Sequence, residues 1–189
     1  KLILDQKGLK RLDSNINRLI YLNVLELTGN RLTQLPADLK DLQNIQALYL
    51  SDNDFNGIPE VVYELKNLKR LDISSNPLKQ MPGDIYKINT LEELYVSNTG
   101  ISKLPKKLYS MNNLKVLIAA KNEITNISSK MQSANKLEVL ELAHNNITKL
   151  PATIKYCKNL KRIDLEGNPM ANAFITDKLK KWLNKKKIY

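Results

Sequence analysis

The sequence predicts an α/β repeat solenoid, a curved stack of short units with a parallel β-sheet on its concave face and short helical turns on its convex face. The first observation is a 23-residue period, seen in LEVLELAHNNITKLP at 137–151 and repeated along the chain. The second is that five positions of this unit are apolar in every copy. Fixed periods of roughly 20 to 50 residues are typical of solenoids, whose units bury an apolar face only by stacking.

Seven full repeats follow one shortened repeat at the start of the chain. Counted from the first apolar residue of each unit, positions 1, 4, 6, 11 and 14 are the apolar ones. The full repeats begin at Leu22, Ile45, Leu68, Leu91, Leu114, Leu137 and Leu160. The sequence therefore predicts a repeat domain over residues 1–170, with about eight repeats of which the first is incomplete.

The middle of each unit predicts a short β-strand. Its residues alternate in polarity, so positions 4 and 6 should point into the core and positions 3, 5 and 7 outward. Position 9 is asparagine in every full repeat except one, which has Thr99. Because an amide both donates and accepts, a column of asparagines can satisfy buried backbone groups of neighbouring turns. Thr99 offers part of that bonding, which predicts a locally looser fifth repeat.

The second half of each unit predicts the convex side. Positions 14 and 15 read as an apolar residue followed by proline in five repeats, and proline fixes φ where the convex segment begins. Ile127-Ser128 and Leu12-Asp13 depart from this pattern. Apolar residues at positions 18 and 21 are spaced by three, which suits a single 3₁₀ or α turn. Cys157 occupies position 21, so we interpret it as a small core residue.

A different pattern follows Asn168-Pro169, where the period ends. Ile175, Leu179, Trp182 and Leu183 recur at helical spacing with lysines between them. We expect residues 171–189 to form a C-terminal capping helix and a basic tail, because the last repeat of a solenoid needs a cover. The same amphipathic pattern also suits an anionic membrane surface, which is the alternative interpretation.

Composition excludes several classes of site. The chain has a formal charge of +11, one cysteine and one histidine, and its six glycines are scattered. An intrachain disulfide, a histidine-rich metal cage and a glycine-rich phosphate loop are therefore not expected. His144 has no serine or cysteine nucleophile convincingly beside it, so no catalytic residue, metal or cofactor is predicted. SDNDFNG at 51–57 superficially looks like a calcium loop, but its spacing is wrong and we interpret it as a repeat turn.

The motif L-x-x-L-x-L-x-x-N-x-L, followed by L-P-x-x-L-x-x-L, resembles the leucine-rich repeat family over nearly the whole chain. The 23-residue unit is similar to those of bacterial proteins, including leptospiral ones, and of intracellular Ras-group proteins. The resemblance implies a horseshoe-shaped fold and a non-enzymatic module that binds another protein on its concave face. No leader sequence is visible at the start of the chain, and both a cytoplasmic and a secreted bacterial location stay open.

Outward positions of the strands map the expected binding surface. The contact set that we predict is Tyr49, Asp72, Tyr95, Val116, Ile118, Val139, Glu141 and His144. Tyrosine is enriched at binding hot spots, and a contiguous apolar patch on a sheet suggests a partner. The alternative is that these side chains only pack on one another across the strands. At position 2, Lys69, Glu92, Lys115, Glu138 and Lys161 alternate in charge, which predicts a ladder of mutually neutralising ion pairs.

Charge distribution separates the possible partners. Acidic residues outnumber basic ones at the outward concave positions, whereas most lysines fall on convex and loop positions. A nucleic-acid binder needs its basic stripe on the contact surface, so we expect the chain to bind a protein and not a nucleic acid. We also expect a monomer that does not bind a membrane. Two alternatives stay open. The basic convex side could engage polyanions or a membrane in adhesion, or the chain could be the recognition part of a larger enzyme.

Overall fold

A computed structural model describes residues 1–170 and 181–182, and it contains one sheet of eight parallel strands in sequence order. Every strand pairs with its neighbour at an offset of one repeat, as in Leu25 with Leu48. Equivalent positions of successive repeats therefore lie in straight rows across the sheet. The strands are β1 (Leu2–Ile3), β2 (Val24–Glu26), β3 (Ala47–Tyr49), β4 (Arg70–Asp72), β5 (Glu93–Tyr95), β6 (Val116–Ile118), β7 (Val139–Glu141) and β8 (Arg162–Asp164).

Seven 3₁₀ helices form the convex side of the described repeats, as the spacing of positions 18 and 21 predicts. Five of them begin after a proline with φ between −57° and −67°. The helices are η1 (Ser14–Arg18), η2 (Ala37–Asp41), η3 (Glu60–Glu64), η4 (Gly83–Lys87), η5 (Lys106–Ser110), η6 (Ser129–Ser133) and η7 (Ala152–Tyr156). The chain thus folds as the predicted solenoid.

The two repeats without proline start their helices with a different device. The Asp13 carboxylate accepts a hydrogen bond from the backbone N–H of Asn15 at 2.8 Å, and the Ser128 hydroxyl accepts one from Lys130 at 3.2 Å. None of the five prolines provides a side-chain cap. Aspartate and serine at these positions therefore replace the fixed φ of proline with a capping hydrogen bond.

The core lies between the sheet and the 3₁₀ helices and runs through all repeats. The apolar residues at positions 1, 4, 6, 11 and 14 are all buried in repeats two to seven. The half-buried members belong to the first and last repeats: Leu2, Leu4, Leu9, Leu12, Leu165 and Met170. Cys157 is also buried, which confirms its interpretation as a core residue, and burial raises the pKa of its thiol to about 11.

A column of asparagine amides joins the repeats beneath the sheet. In each, Oδ1 accepts from the N–H of position 11 in the preceding repeat, and Nδ2 donates to the position 6 carbonyls of both repeats. For Asn145 the partners are the Ile124 N–H at 3.0 Å, the Ala119 oxygen at 2.9 Å and the Leu142 oxygen at 3.0 Å. Asn30, Asn53, Asn76, Asn122 and Asn168 make the equivalent bonds. This confirms the predicted ladder.

Thr99 keeps only part of this bonding, as its single hydroxyl predicts. Its Oγ1 lies 3.0 Å from the Val96 carbonyl oxygen and 2.9 Å from Oδ1 of Asn122. The Thr99 hydroxyl accepts nothing from the preceding repeat, where the Leu78 N–H donates instead to the Asn76 backbone oxygen at 2.8 Å. The local turn is thus rearranged around Thr99, and the looser packing of the fifth repeat stays a prediction.

The turn after each strand places position 8 in the left-handed region in all eight repeats. The φ values lie between 53° and 69°, and only Gly29 and Gly167 are glycines. The other six residues are Gln6, Asp52, Ser75, Asn98, Lys121 and His144. A residue with a Cβ in this region costs roughly 1–2 kcal/mol of conformational strain. Backbone hydrogen bonds to the next repeat offset this cost. The Lys121 N–H, for example, donates to the Ala143 oxygen at 2.8 Å.

The two ends of the solenoid differ from its middle. At the N-terminal end, Ile3, Leu19, Ile20 and Tyr21 are exposed, and Leu2 and Leu19–Tyr21 line a shallow groove of about 540 Å³. At the C-terminal end, Lys181 and Trp182 are helical, and Trp182 packs half-buried against the core. The rest of the predicted cap and tail, 171–180 and 183–189, lies outside the described residues. Within the described residues, no helix has the length and apolar character needed to cross a bilayer.

We expect Asn145→Ala to lower the free energy of unfolding by about 2–4 kcal/mol, because it removes four hydrogen bonds and leaves the buried Ile124 N–H without its partner. Asn146→Ala is the matched control, since Asn146 is exposed. That change should cost less than about 0.5 kcal/mol. Urea unfolding measures both variants. Equal destabilisation by the two changes would contradict the role of the ladder.

Lys121→Gly should stabilise the protein relative to Lys103→Gly, by up to about 1 kcal/mol. Both lysines are exposed, but only Lys121 has a positive φ. Glycine adopts that conformation without strain, although it also increases the entropy of the unfolded chain. The free energies of unfolding of the two variants give the comparison directly. A less stable Lys121→Gly variant would show that the left-handed turn carries no strain.

Candidate protein-binding surface on the concave sheet

The predicted contact residues fall into two adjacent rows of the concave sheet and one turn. The position 5 row runs across β3 to β7 and contains Tyr49, Asp72, Tyr95, Ile118 and Glu141 in direct register. The position 3 row contains Val116 and Val139, which pair across β6 and β7. His144 lies in the turn after β7, outside the sheet. Seven of the eight residues therefore share one continuous surface.

A chain of polar contacts fixes both tyrosines of this surface. The Arg70 guanidinium donates to the Tyr49 hydroxyl at 2.9 Å and to Oε1 of Glu93 at 2.8 Å. The Tyr95 hydroxyl donates to Oε2 of Glu93 at 2.7 Å. Arg70 and Glu93 stand in the position 3 row and were not predicted as site residues. Their opposite charges, at position 3 of neighbouring repeats, were the signal in the sequence that could have predicted this contact.

These contacts also change the ionisation of the groups involved. The hydrogen bond to Glu93 raises the pKa of Arg70, and the hydrogen bond from Arg70 lowers the pKa of the Glu93 carboxyl. Burial, together with the hydrogen bond to Glu93, raises the pKa of Tyr95 to about 12. All three shifts favour the state in which arginine and glutamate are charged and the phenol is neutral.

Asp72 lies between the two tyrosines but does not take part in their polar chain. Its Oδ1 accepts a hydrogen bond from the backbone N–H of Ser74 at 2.9 Å, which orients the carboxylate. No lysine or arginine in the described ranges forms an ion pair with it. The half-buried carboxylate therefore keeps acceptor capacity at the centre of the surface.

Apolar side chains continue the surface on β6 and β7. Val116, Ile118 and Val139 are half-buried, so each presents part of its side chain to solvent while covering the strands. In the position 7 row, Ala120 is half-buried and Ala143 is buried. The patch therefore combines half-buried β-branched side chains with two small alanines.

The last two predicted residues have local partners. Glu141 forms an ion pair with Arg162 on β8 at 2.9 Å. His144 is exposed, and its imidazole lies against Gly167 in the next turn, where a β-carbon would collide with the ring. Both residues lie at the C-terminal margin of the surface, next to the apolar patch rather than within it.

The alternating charges at position 2 form part of the predicted ladder. Lys115 contacts Glu92 at 2.6 Å, and Lys161 contacts Glu138 at 2.6 Å. Each exposed pair of this kind is worth about 0–1 kcal/mol. These pairs neutralise one edge of the concave face, which confirms mutual neutralisation for four of the five residues.

The stretch SDNDFNG is a repeat turn, as interpreted from its spacing. Asn53 uses its amide in the asparagine ladder, and the Phe55 side chain is fully buried in the core. Two residues of the apparent loop therefore serve the solenoid and are not available as ligands.

Comparison with protein families agrees with the repeat geometry. Residues 4–126 match the model described as a leucine-rich repeat region, and residues 112–170 match a second model described as a leucine rich repeat. The chain belongs to the leucine-rich repeat family. No curated protein matches the chain at a significant level.

Solved structures of leucine-rich repeat proteins are similar to this chain. A leucine-rich repeat protein of Leptospira interrogans has 33% sequence identity and a TM-score of 0.78, over 96% of this chain and 52% of that one. TLR13 in its complex with ssRNA13 has 27% identity and a TM-score of 0.77, over 93% and 25% of the two chains. The plant peptide hormone receptor RGFR1, in complex with RGF2, has 22% identity and a TM-score of 0.69, over 84% and 26%.

Two facts limit what these likenesses show. The chain spans about half the length of the leptospiral protein and about a quarter of the two receptors. The likeness to RGFR1 shows the fold alone. Together the matches show a leucine-rich repeat solenoid with similarity to a bacterial protein, a fold that commonly serves as a protein-interaction module.

The shifted pKa of Tyr95 gives a test of the polar chain. Its phenol should titrate at about pH 12, and Glu93→Gln should move this value towards the ordinary 10.0 while burial keeps it higher. Because the folded pKa is raised, the contribution of this group to stability is complete below pH 10 and is lost as the pH rises towards 12. NMR titration of ¹³C-labelled tyrosine rings measures the shift.

Glu138→Gln provides the control for this titration, since Glu138 pairs with Lys161 and not with a tyrosine. The Tyr95 signal should titrate as in the unmodified chain. A Tyr95 pKa that is unchanged by Glu93→Gln would contradict the hydrogen bond between the two residues.

Proposed function

We propose that this chain is a non-catalytic module that binds a protein partner through the concave face of its sheet. The observation that carries the proposal is the joint surface of Tyr49, Asp72 and Tyr95 with the apolar patch of Val116, Ile118 and Val139. These residues occupy adjacent rows on β3 to β7. Glu141 and His144 complete the proposed contact set at its margin.

The polar chain through Arg70 and Glu93 supports this surface as a binding site. A side chain that is already ordered loses less conformational freedom when a partner binds. The hydroxyls of Tyr49 and Tyr95 are both held by hydrogen bonds of 2.9 Å or less. The two rings therefore offer contact area at a low entropic cost, which is a property of hot-spot residues.

The charge of the surface supports a protein as the partner. RGFR1 is in complex with a peptide hormone, and TLR13 is in complex with RNA. For an RNA partner we would expect unpaired basic residues on the contact surface. On this concave face Arg70 is paired with Glu93, and Arg162 with Glu141. The surface suits a protein better than a nucleic acid.

A second candidate function has one specific observation in its favour. The 3₁₀ helices η5, η6 and η7 contain Lys106, Lys107, Lys130 and Lys155 and no acidic residue. This convex region could engage polyanions in an adhesion role. Such binding would weaken steeply with salt, because exposed charge contacts are screened within about 4 Å at 0.5 M ionic strength.

The experiment is capture of partners from cell lysates on the immobilised chain. Tyr95→Ala combined with Ile118→Asp should weaken capture more than about 100-fold, since loss of two hot-spot residues costs at least about 2 kcal/mol each. Both side chains lie at outward positions of the sheet and outside the core, so the melting temperature should change little. The captured protein, identified by mass spectrometry, should stay bound in 0.5 M salt.

Tyr156→Ala combined with Lys158→Asp is the matched control on the convex side, where both residues are exposed. This variant should retain the partner. Loss of capture only in this variant, or only in high salt, would favour the polyanion role. Loss of capture together with unfolding of the concave variant would show that the patch is structural.

A further inference from the structure

We infer that Asp72, flanked by Tyr49 and Tyr95, receives a lysine or arginine side chain of the protein partner. An aliphatic side chain of the same partner then covers Val116, Ile118 and Val139. The inference rests on the proposed function and deepens it, because it states which chemistry the concave face selects. It follows from the charges, the register and the hydrogen bonds of β2 to β7.

The first step is the charge that remains after the internal ion pairs are formed. Glu26 on β2 contacts Lys1 at 2.8 Å, and Glu93 on β5 contacts Arg70 at 2.7 Å. Asp72 lies between these two pairs and, within the described residues, belongs to no ion pair itself. The exposed Asp52 follows β3 and is likewise unpaired there. Among the described residues, four carboxylates are unpaired at this end of the concave face, against two cations, Arg31 and Lys69, so the remaining charge is negative: Asp5, Asp52, Asp54 and Asp72.

The second step is the orientation of the Asp72 carboxylate. One oxygen accepts the Ser74 N–H at 2.9 Å, and this contact fixes the side chain against its own strand. The other oxygen has free acceptor positions. The hydroxyls of Tyr49 and Tyr95 contact the Arg70–Glu93 pair instead. A donor supplied by a partner can thus reach a carboxylate that is already oriented.

The third step is the position of the aromatic rings. Tyr49 and Tyr95 are the direct register partners of Asp72 on the strands at either side. Neighbouring strands are about 4.8 Å apart, so a cation on the carboxylate lies close to both rings. Tyrosine rings attract lysine and arginine cations within about 6 Å of their centroids. Carboxylate and rings therefore favour the same kind of ligand.

The fourth step is the distance to the apolar patch. Ile118 is two strands from Asp72 in the same row, which corresponds to about 10 Å. About two helix turns or about three extended residues of a partner span that distance. The surface thus suits a partner that presents one basic and one aliphatic side chain at a fixed separation. Electrostatic complementarity of this kind contributes specificity.

Random peptides displayed on phage test this inference with the intact chain as the bait. Peptides selected on the unmodified chain should be enriched in lysine or arginine next to aliphatic residues. For one enriched peptide, Asp72→Asn should weaken binding by about 10- to 100-fold, the usual effect of removing a hydrogen bond to a charged group. Replacement of the basic residue of the peptide by norleucine should weaken binding to the same extent, with no further loss when both changes are combined.

The matched control is Asp164→Asn. Asp164 occupies position 5 on β8, and its Oδ1 accepts the Glu166 N–H at 3.0 Å, but its strand neighbour is Glu141. The asparagine variants can retain these backbone contacts, and thermal unfolding checks that both remain folded. Binding of the peptide should be unchanged by Asp164→Asn.

The outcomes separate this inference from the proposed function. Peptides without basic residues, or equal weakening by the Asp72 and Asp164 changes, would overturn the inference. If such peptides still depend on Tyr95 and Ile118, concave-face binding stands and only the basic recognition point fails. If no peptide is selected, or if none depends on Tyr95 and Ile118, the experiment counts against both.

Discussion

The buried asparagine ladder is the interaction on which the rest of this structure depends. A solenoid turn must leave the sheet sharply, and its backbone groups then lie in the core without strand partners. Each amide supplies an acceptor to one repeat and donors to two, as Asn145 does for Ile124, Ala119 and Leu142. Because a buried group without a partner costs about 1–3 kcal/mol, the ladder stabilises the left-handed residues at position 8 and keeps the strands in register.

The one-repeat register of the strands arranges the outward side chains of the concave face in straight rows. Residues that are one repeat apart in sequence become neighbours across the sheet, so Tyr49, Asp72, Tyr95 and Ile118 form one line. The pair Arg70–Glu93 lies beside this line and holds both tyrosines. A rigid scaffold thus orders side chains that face solvent, and the proposed binding surface gains its order from contacts that do not involve a partner.

The sequence predicts much of this arrangement because the repeat imposes one local rule many times. Apolar periodicity predicts the core, alternation predicts the outward rows, and proline predicts the start of the convex helices. The polar chain of the tyrosines was missed because it depends on rotamers: Arg70 reaches across to β3, whereas Tyr95 turns along its own strand. Pairing of Glu141 with Arg162, and contact of His144 with Gly167, also depend on side-chain directions that spacing does not reveal.

The strict one-repeat register has a consequence for how such a surface can change. Removal or duplication of one whole repeat preserves the core template and the ladder, yet moves every residue beyond it by one strand. A repeat inserted between β4 and β6 would thus lengthen the separation between Asp72 and the apolar patch by about 4.8 Å. Recombination between repeats could therefore tune partner choice by spacing alone, without the substitution of any contact residue.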